Sequence, residues 1–152
     1  MKLRLAIVAP LAALALSGCV TTVAPSTQAN TDAYLTRMLA GESAMQGSEL
    51  DKALAEASQY PLGSLENPVR ASMPRGQRAY LSRLRCEDLS RPEFTRAGNV
   101  GLGPFGNIVD AYIVTCNGSE PAERTIHMDM YHSGYVESEA VGGYGITGGK
   151  PE

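Results

Sequence analysis

Read for its apolar positions alone, the chain opens on Lys2 and Arg4 and then a run of 12 residues from Leu5 to Leu16 without a charge. About 20 residues are needed to cross a bilayer core, so this run is too short to span and has the length of a secretory h-region. Residues 20–31 show no apolar period; Thr, Ser, Pro, Ala, Gln and Asn dominate, and such a segment reads as a flexible tether. From Thr31 to Ala40 the positions Tyr34, Leu35, Met38 and Leu39 share one helical face, with Gly41 placed to end the helix. A second helix is expected over 48–57. Ser48 and Asp51 resemble a capping box there, Leu50, Ala53, Leu54 and Ala57 form a narrow stripe, and Tyr60-Pro61 stops it.

Residues 62–77, punctuated by Pro68 and Pro74, read as an extended connector, after which the period changes to two. In 78–86, Tyr80, Leu84 and Cys86 alternate with Arg83 and Arg85, which predicts a strand with both arginines on one face. A weaker strand is expected over 94–100 and the strongest over 107–116. In the latter, apolar residues on both faces argue for a central position. Residues 125–131 alternate again, with Ile126, Met128 and Met130 inward and His127, Asp129 and Tyr131 outward. A short last strand is expected at 144–146. Helices followed by strands predict an α+β fold: two N-terminal helices and then a small, mainly antiparallel sheet joined by hairpins.

The residues that close the apolar run add an address. Leu16-Ser17-Gly18-Cys19 resembles the lipobox of bacterial lipoproteins, in which the cysteine is acylated and becomes the new N-terminus. The resemblance implies a cleaved signal peptide over 1–18, a lipidated Cys19 followed by the tether to residue 31, and a single domain over 32–152 with a glycine-rich tail. Val20 stands where family members kept in the inner membrane often carry Asp, which implies an outer-membrane lipoprotein facing the periplasm. Cleavage would remove two basic residues and no acid, so the formal charge of −3 becomes about −5 on about 134 residues. That length suits one small core, and an exported acidic chain is a poor nucleic-acid binder.

With Cys19 assigned to lipid, Cys86 and Cys116 remain as an even pair in an oxidising compartment, where a disulfide is expected and two buried thiols are the alternative. If both lay on strands of a flat meander with one strand between, their Cα atoms would stand about 9.6 Å apart, beyond the roughly 7 Å a disulfide tolerates. The sheet must therefore curl, or the two strands must be neighbours, or one cysteine must lie past its strand.

Candidate chemistry is sparse. Gly101-Leu102-Gly103-Pro104-Phe105-Gly106 spells G-x-G-x-x-G, but Pro104 lacks an N–H and a strand-like segment follows, so a turn between strands fits better than a dinucleotide site. No cofactor is implied, and neither a G-x-S-x-G nor an H-E-x-x-H hydrolase motif occurs. His127 and Asp129 would share a strand face with Tyr131, a plausible metal or acid–base set, although a metal would need a further ligand from elsewhere. Seven arginines lie between residues 70 and 96 against Glu87, Asp88 and Glu93, a local excess of about +4. Arg83 and Arg85, on one face, are candidates for binding an anionic envelope component or a partner protein; the acids of the two helices offer internal neutralisation instead.

Four stretches of the globular part, Asn67–Arg70, Tyr80–Cys86, Gly101–Asn107 and Met128–His132, are similar to small α-proteobacterial proteins. That resemblance covers about half the chain and implies no activity. Two functions are then expected to compete. One is a membrane-anchored envelope lipoprotein with a non-catalytic binding or structural domain. The other is a metal-assisted envelope enzyme using His127 and Asp129.

Overall fold

The computed structural model describes residues 25–148, so the signal segment, Cys19 and the start of the tether lie outside the described residues. Within them the fold is α+β. Helix α1 spans Pro25–Leu39, α2 Gly47–Ala57 and α3 Met73–Arg83; the strands are β1 Val69–Ser72, β2 Leu84–Arg85, β3 Glu93–Leu102, β4 Ile108–Thr115, β5 Glu123–Asp129, β6 Tyr131–Val136 and β7 Gly145–Ile146.

Helix α1 starts earlier than its apolar face suggests and takes in the second half of the expected tether. Proline is tolerated in a first helical turn, and neither glycine nor a further proline interrupts the run to Leu39. Its end follows the expected chemistry. Gly41 takes φ +72°, its N–H donates to Met38 O at 3.0 Å, and Glu42 N–H donates to Arg37 O at 2.9 Å, which is the Schellman pattern. Only Tyr34 and Met38 of the expected apolar face are half-buried; Leu35 and Leu39 stay exposed. Helix α2 begins one residue before Ser48, with Gln46 at the N-cap and no side-chain cap bond, so the Ser48–Asp51 capping box does not form. Its stripe does turn inward, with Ala57 buried and Leu50, Ala53 and Leu54 half-buried.

The main correction concerns residues 69–86. The connector contains strand β1, and the strand expected over 78–86 is largely helix α3, with only Leu84–Arg85 extended. Pro74 sits in the first turn of α3, where its missing N–H costs nothing. Gln77, Tyr80, Leu81 and Leu84 are all buried, and their spacing of i, i+3, i+4, i+7 is helical. The two-fold reading used Tyr80, Leu84 and Cys86 but left Leu81 on a face that burial contradicts. A third helix thus stands between strands, rather than both helices preceding the sheet.

The five-stranded sheet has the order β3-β4-β5-β1-β6, and β2 pairs with β7 in a separate two-stranded ribbon. The β3–β4 and β4–β5 pairs are antiparallel hairpins, and β4 is flanked on both sides as its two apolar faces require. Strand β1, however, lies between β5 and β6. It runs parallel to β5 (Val69 opposite Met128) and antiparallel to β6 (Ser72 opposite Tyr131). The sheet is therefore mixed, though mainly antiparallel. Helix α3 lays its buried face on one side of this sheet, and the core there joins Val69, Tyr80, Leu81, Leu84, Tyr112, Val114, Ile126, Met128 and Val141. Full burial of Leu81, Leu84 and Met128 contributes roughly 1.5–3 kcal/mol each.

Cys86 and Cys116 are joined in a disulfide with a Cα–Cα distance of 5.7 Å. Both lie just past their strands. Each also opens a turn, since Cys86 N–H donates to Ser90 O and Cys116 N–H to Ala122 O. Because β2 belongs to the ribbon with β7, no strand has to lie between the two cysteines. The glycine-rich stretch closes the β3–β4 hairpin, with Gly103 N–H donating to Asn107 O and Gly106 N–H to Gly103 O. It is a turn, as Pro104 suggested.

Candidate functional site

Strand alternation places two polar clusters on opposite faces of the sheet. Asp110 stands opposite Met128 and faces α3, whereas Asp129, opposite Val109, faces the other way. On the α3 face, Gln77 is fully buried and links two strand residues. Its Nε2 donates to Asp110 Oδ2 at 3.1 Å, and its Oε1 accepts from Tyr112 Oη at 3.1 Å. Arg96 closes the cluster from β3 by pairing with Asp110 Oδ1 at 2.6 Å, and that bond raises the guanidinium pKa further. This cluster latches α3 to the sheet.

The opposite face holds the second cluster. Asp129 is fully buried; Oδ2 accepts from Asn107 Nδ2 at 2.8 Å and Oδ1 from Tyr131 N–H at 2.9 Å. Asn107, itself buried, also donates to Ser43 Oγ at 3.1 Å and accepts from Ala44 N–H at 2.8 Å. One amide thereby pins the loop between α1 and α2 beneath the sheet. His132 completes the cluster. It is 7% exposed and rests edge-on against the Phe105 ring, with centroids 5.4 Å apart. Its Nε2 lies 3.3 Å from Asp129 Oδ2 but off the line of a hydrogen bond.

Beside this cluster a cleft of about 380 Å³ opens between the α1–α2 loop and β6, with Ser43, Arg70, Tyr131, His132, Ser133 and Tyr135 on its walls. Arg70 projects from β1 and its guanidinium carbon lies 3.9 Å from the centre of the Tyr135 ring. Arg70 Nη2 donates to Tyr135 Oη at 2.6 Å, and that hydroxyl donates in turn to Glu137 Oε2 at 3.1 Å. Burial raises the Tyr135 phenol above its usual range, while the neighbouring Arg70 charge lowers it somewhat, so the phenol stays protonated and can serve as that donor. The Glu137 carboxylate is already committed, since Oε1 accepts from the N–H groups of Ser138 and Glu139.

The residues singled out in the sequence fall elsewhere. Arg83 sits on α3 and not on a strand, so it shares no sheet face with Arg85. Arg83 donates to Gly148 O at 2.8 Å and to Glu137 O, and Arg85 donates to Ser82 O at 3.1 Å and Leu84 O at 2.6 Å. The paired strand face that motivated an anion site at Arg83 and Arg85 therefore does not form. His127 is half-buried with Nδ1 3.2 Å from Gly63 O, while Asp129 and Tyr131 are buried and not outward. Asp129 keeps its strand parity but lies under the α1–α2 loop held by Asn107, whereas the chain breaks strand at Met130 and crosses to the far side of β1 before Tyr131. His127 and Asp129 do not converge on a common partner. Among the described residues no group of three or more His, Cys, Asp or Glu side chains is arranged to hold a metal.

Sequence reasoning noted His132 only as a neighbour and passed over Arg70, Asn107 and Tyr135. The Asn67–Arg70 stretch contained the relevant cation, but only the β1–β6 pairing brings it to Tyr135. No protein-family model, curated protein or solved structure matches this chain.

Proposed function

We propose that the chain is a membrane-anchored lipoprotein of the cell envelope, delivered to the outer membrane and facing the periplasm, whose domain over 32–152 binds or scaffolds rather than catalyses. The observation that carries this reading is Leu16-Ser17-Gly18-Cys19 at the end of a short uncharged apolar run that follows Lys2 and Arg4. The disulfide supports it, because such bonds persist in oxidising compartments. No helix among the described residues is long and apolar enough to cross a membrane, so attachment in this reading falls to the lipid on Cys19. Several acyl chains on one residue give the durable anchoring that a single chain does not. Fractionation of cell envelopes tests the proposal: the wild type is expected with the membranes and Cys19→Ala in the soluble fraction. Full membrane retention of Cys19→Ala would overturn it.

A further inference from the structure

The cleft beside Asp129 and His132 is a built polar site with an uncommitted cation. Arg70 is half-buried and, among the described residues, belongs to no ion pair. Its one hydrogen bond goes to a neutral phenol, and stacking on the Tyr135 ring holds the guanidinium plane in place. Glu137 is joined to Arg70 only through the Tyr135 hydroxyl and forms no direct ion pair with it, and the acid on the cleft's own wall is Glu42. His132 forms part of the same wall while more than nine-tenths buried, and its Nε2 lacks a hydrogen-bond partner. A half-buried arginine held by a ring and one phenol, beside a buried imidazole whose Nε2 faces Asp129 at 3.3 Å without a hydrogen bond, leaves polar capacity that a ligand can satisfy.

We propose that this cleft binds a monoanionic carboxylate, received by Arg70 with Ser133 and His132 beside it. The guanidinium fork matches the two oxygens of a carboxylate. Charge favours a monoanion over a phosphate dianion: the cleft presents one guanidinium, and Glu42 on its wall makes a second negative charge unfavourable. Leu50, Tyr131 and Tyr135 supply apolar wall for a small organic remainder, and about 380 Å³ sits at the lower end of small-molecule sites. This assignment rests on the domain being a binding module but not on its membrane anchor, so the Cys19→Ala result leaves it untouched.

The full chain in detergent is titrated with acetate, N-acetyl-alanine, N-acetyl-alaninamide and inorganic phosphate, with NMR shifts of Arg70, His132 and Ser133 as the readout. Acetate and N-acetyl-alanine are expected to shift these residues, and the amide is not. Tighter binding of N-acetyl-alanine than of acetate would point to a peptide terminus, and equal binding to a free carboxylate; both support the site. Arg70→Gln is expected to weaken binding by roughly tenfold or more, since a charge-assisted bond is lost. Because Arg70→Gln removes a stacked residue of β1, Ser133→Asp at an exposed position provides a second arm. Its new carboxylate adds negative charge to the cleft wall that holds Arg70 and is expected to abolish binding while leaving the unfolding midpoint unchanged. Equal binding of the amide, binding unaffected by Ser133→Asp, a preference for phosphate, or no shift with any probe would each overturn the proposal.

Discussion

Asn107→Ala is the sharpest test of how the two ends of the fold are held together. The side chain is 1% exposed and makes three bonds. It accepts from Ala44 N–H, donates to the buried Asp129 carboxylate, and donates to Ser43 Oγ. The bond to the carboxylate is worth about 1.5–3 kcal/mol and the two neutral bonds about 0.5–1.5 kcal/mol each. Truncation strands buried partners on both sides, so the loss should fall at about 3–5 kcal/mol. A domain of this size has roughly 5–15 kcal/mol in total. With a urea slope of about 2 kcal/mol per molar, the midpoint should drop by roughly 1.5–2.5 M. Asn107→Asp is expected to be no milder, since it keeps the acceptor for Ala44 but sets a second carboxylate against Asp129. Ser43→Ala, which removes one neutral bond, should cost about 1 kcal/mol. Equilibrium urea unfolding followed by circular dichroism measures all three. A loss below about 1 kcal/mol for Asn107→Ala would refute the reasoning, because water would then be replacing the amide and the α1–α2 loop would not be pinned by it.

Reduction of Cys86–Cys116, which closes a separation of 30 residues, is expected to lower unfolding free energy by about 3–4 kcal/mol on the chain-entropy model; a urea midpoint unchanged by dithiothreitol would contradict this. Tyr80 should make the domain sensitive to alkali. Burial raises its phenol pKa, with the bond from Val141 N–H opposing in part, so the folded chain keeps a proton that the unfolded chain releases near pH 10. Stability is thus fully present below about pH 10 and falls above it by about 1.4 kcal/mol per pH unit for this proton. Tyr80→Phe, which gives up the bonds to Glu139 O and Val141 N–H, should be less stable at neutral pH yet decline less steeply above pH 10. Equal alkaline slopes for the two proteins would count against Tyr80 as the source.

Strand β4 was legible because apolar residues on both faces have only one comfortable place, the middle of a sheet, and the hairpin turn was legible because Pro104 excludes the competing reading. Strand β1 was not. It has four residues between Pro68 and Pro74, and its partners lie some 60 residues away, so no local period announces it. Helix α3 was misread because Tyr80, Leu84 and Cys86 alternate with Arg83 and Arg85 on a two-residue period, although Arg78 and Ser82 share the apolar parity and fit only the helix. Gln77 would have broken the tie, but a buried polar residue is invisible to hydropathy. The same blindness hid the second cluster. Asn107, Asp129 and His132 look like turn and surface residues, and they become interior only because each satisfies or abuts another across the fold.

The arginines show how far charge counting can mislead. Their excess between residues 70 and 96 suggested either an open anion-binding face or neutralisation by the acids of the first two helices, and the structure follows neither course. Arg83 and Arg85 direct their donors to backbone carbonyls around the end of α3 and the tail, where a guanidinium satisfies acceptors that a terminating helix and an irregular tail leave over. Arg96 takes the buried Asp110. The acids of α2, Glu49, Asp51 and Glu56, remain exposed, and among the described residues the ion pair on that helix is Lys52 with Glu56 at 4.0 Å. What separates Arg70 from Arg83, Arg85 and Arg96 is therefore not its charge but its hydrogen bonds: those three have carbonyl or carboxylate partners, whereas Arg70 has a ring beneath it, one phenol, and a cleft in front. An arginine held in place without an ion pair of its own among the described residues is the feature on which the proposed carboxylate site rests, and it could be identified only once β1 and β6 were paired.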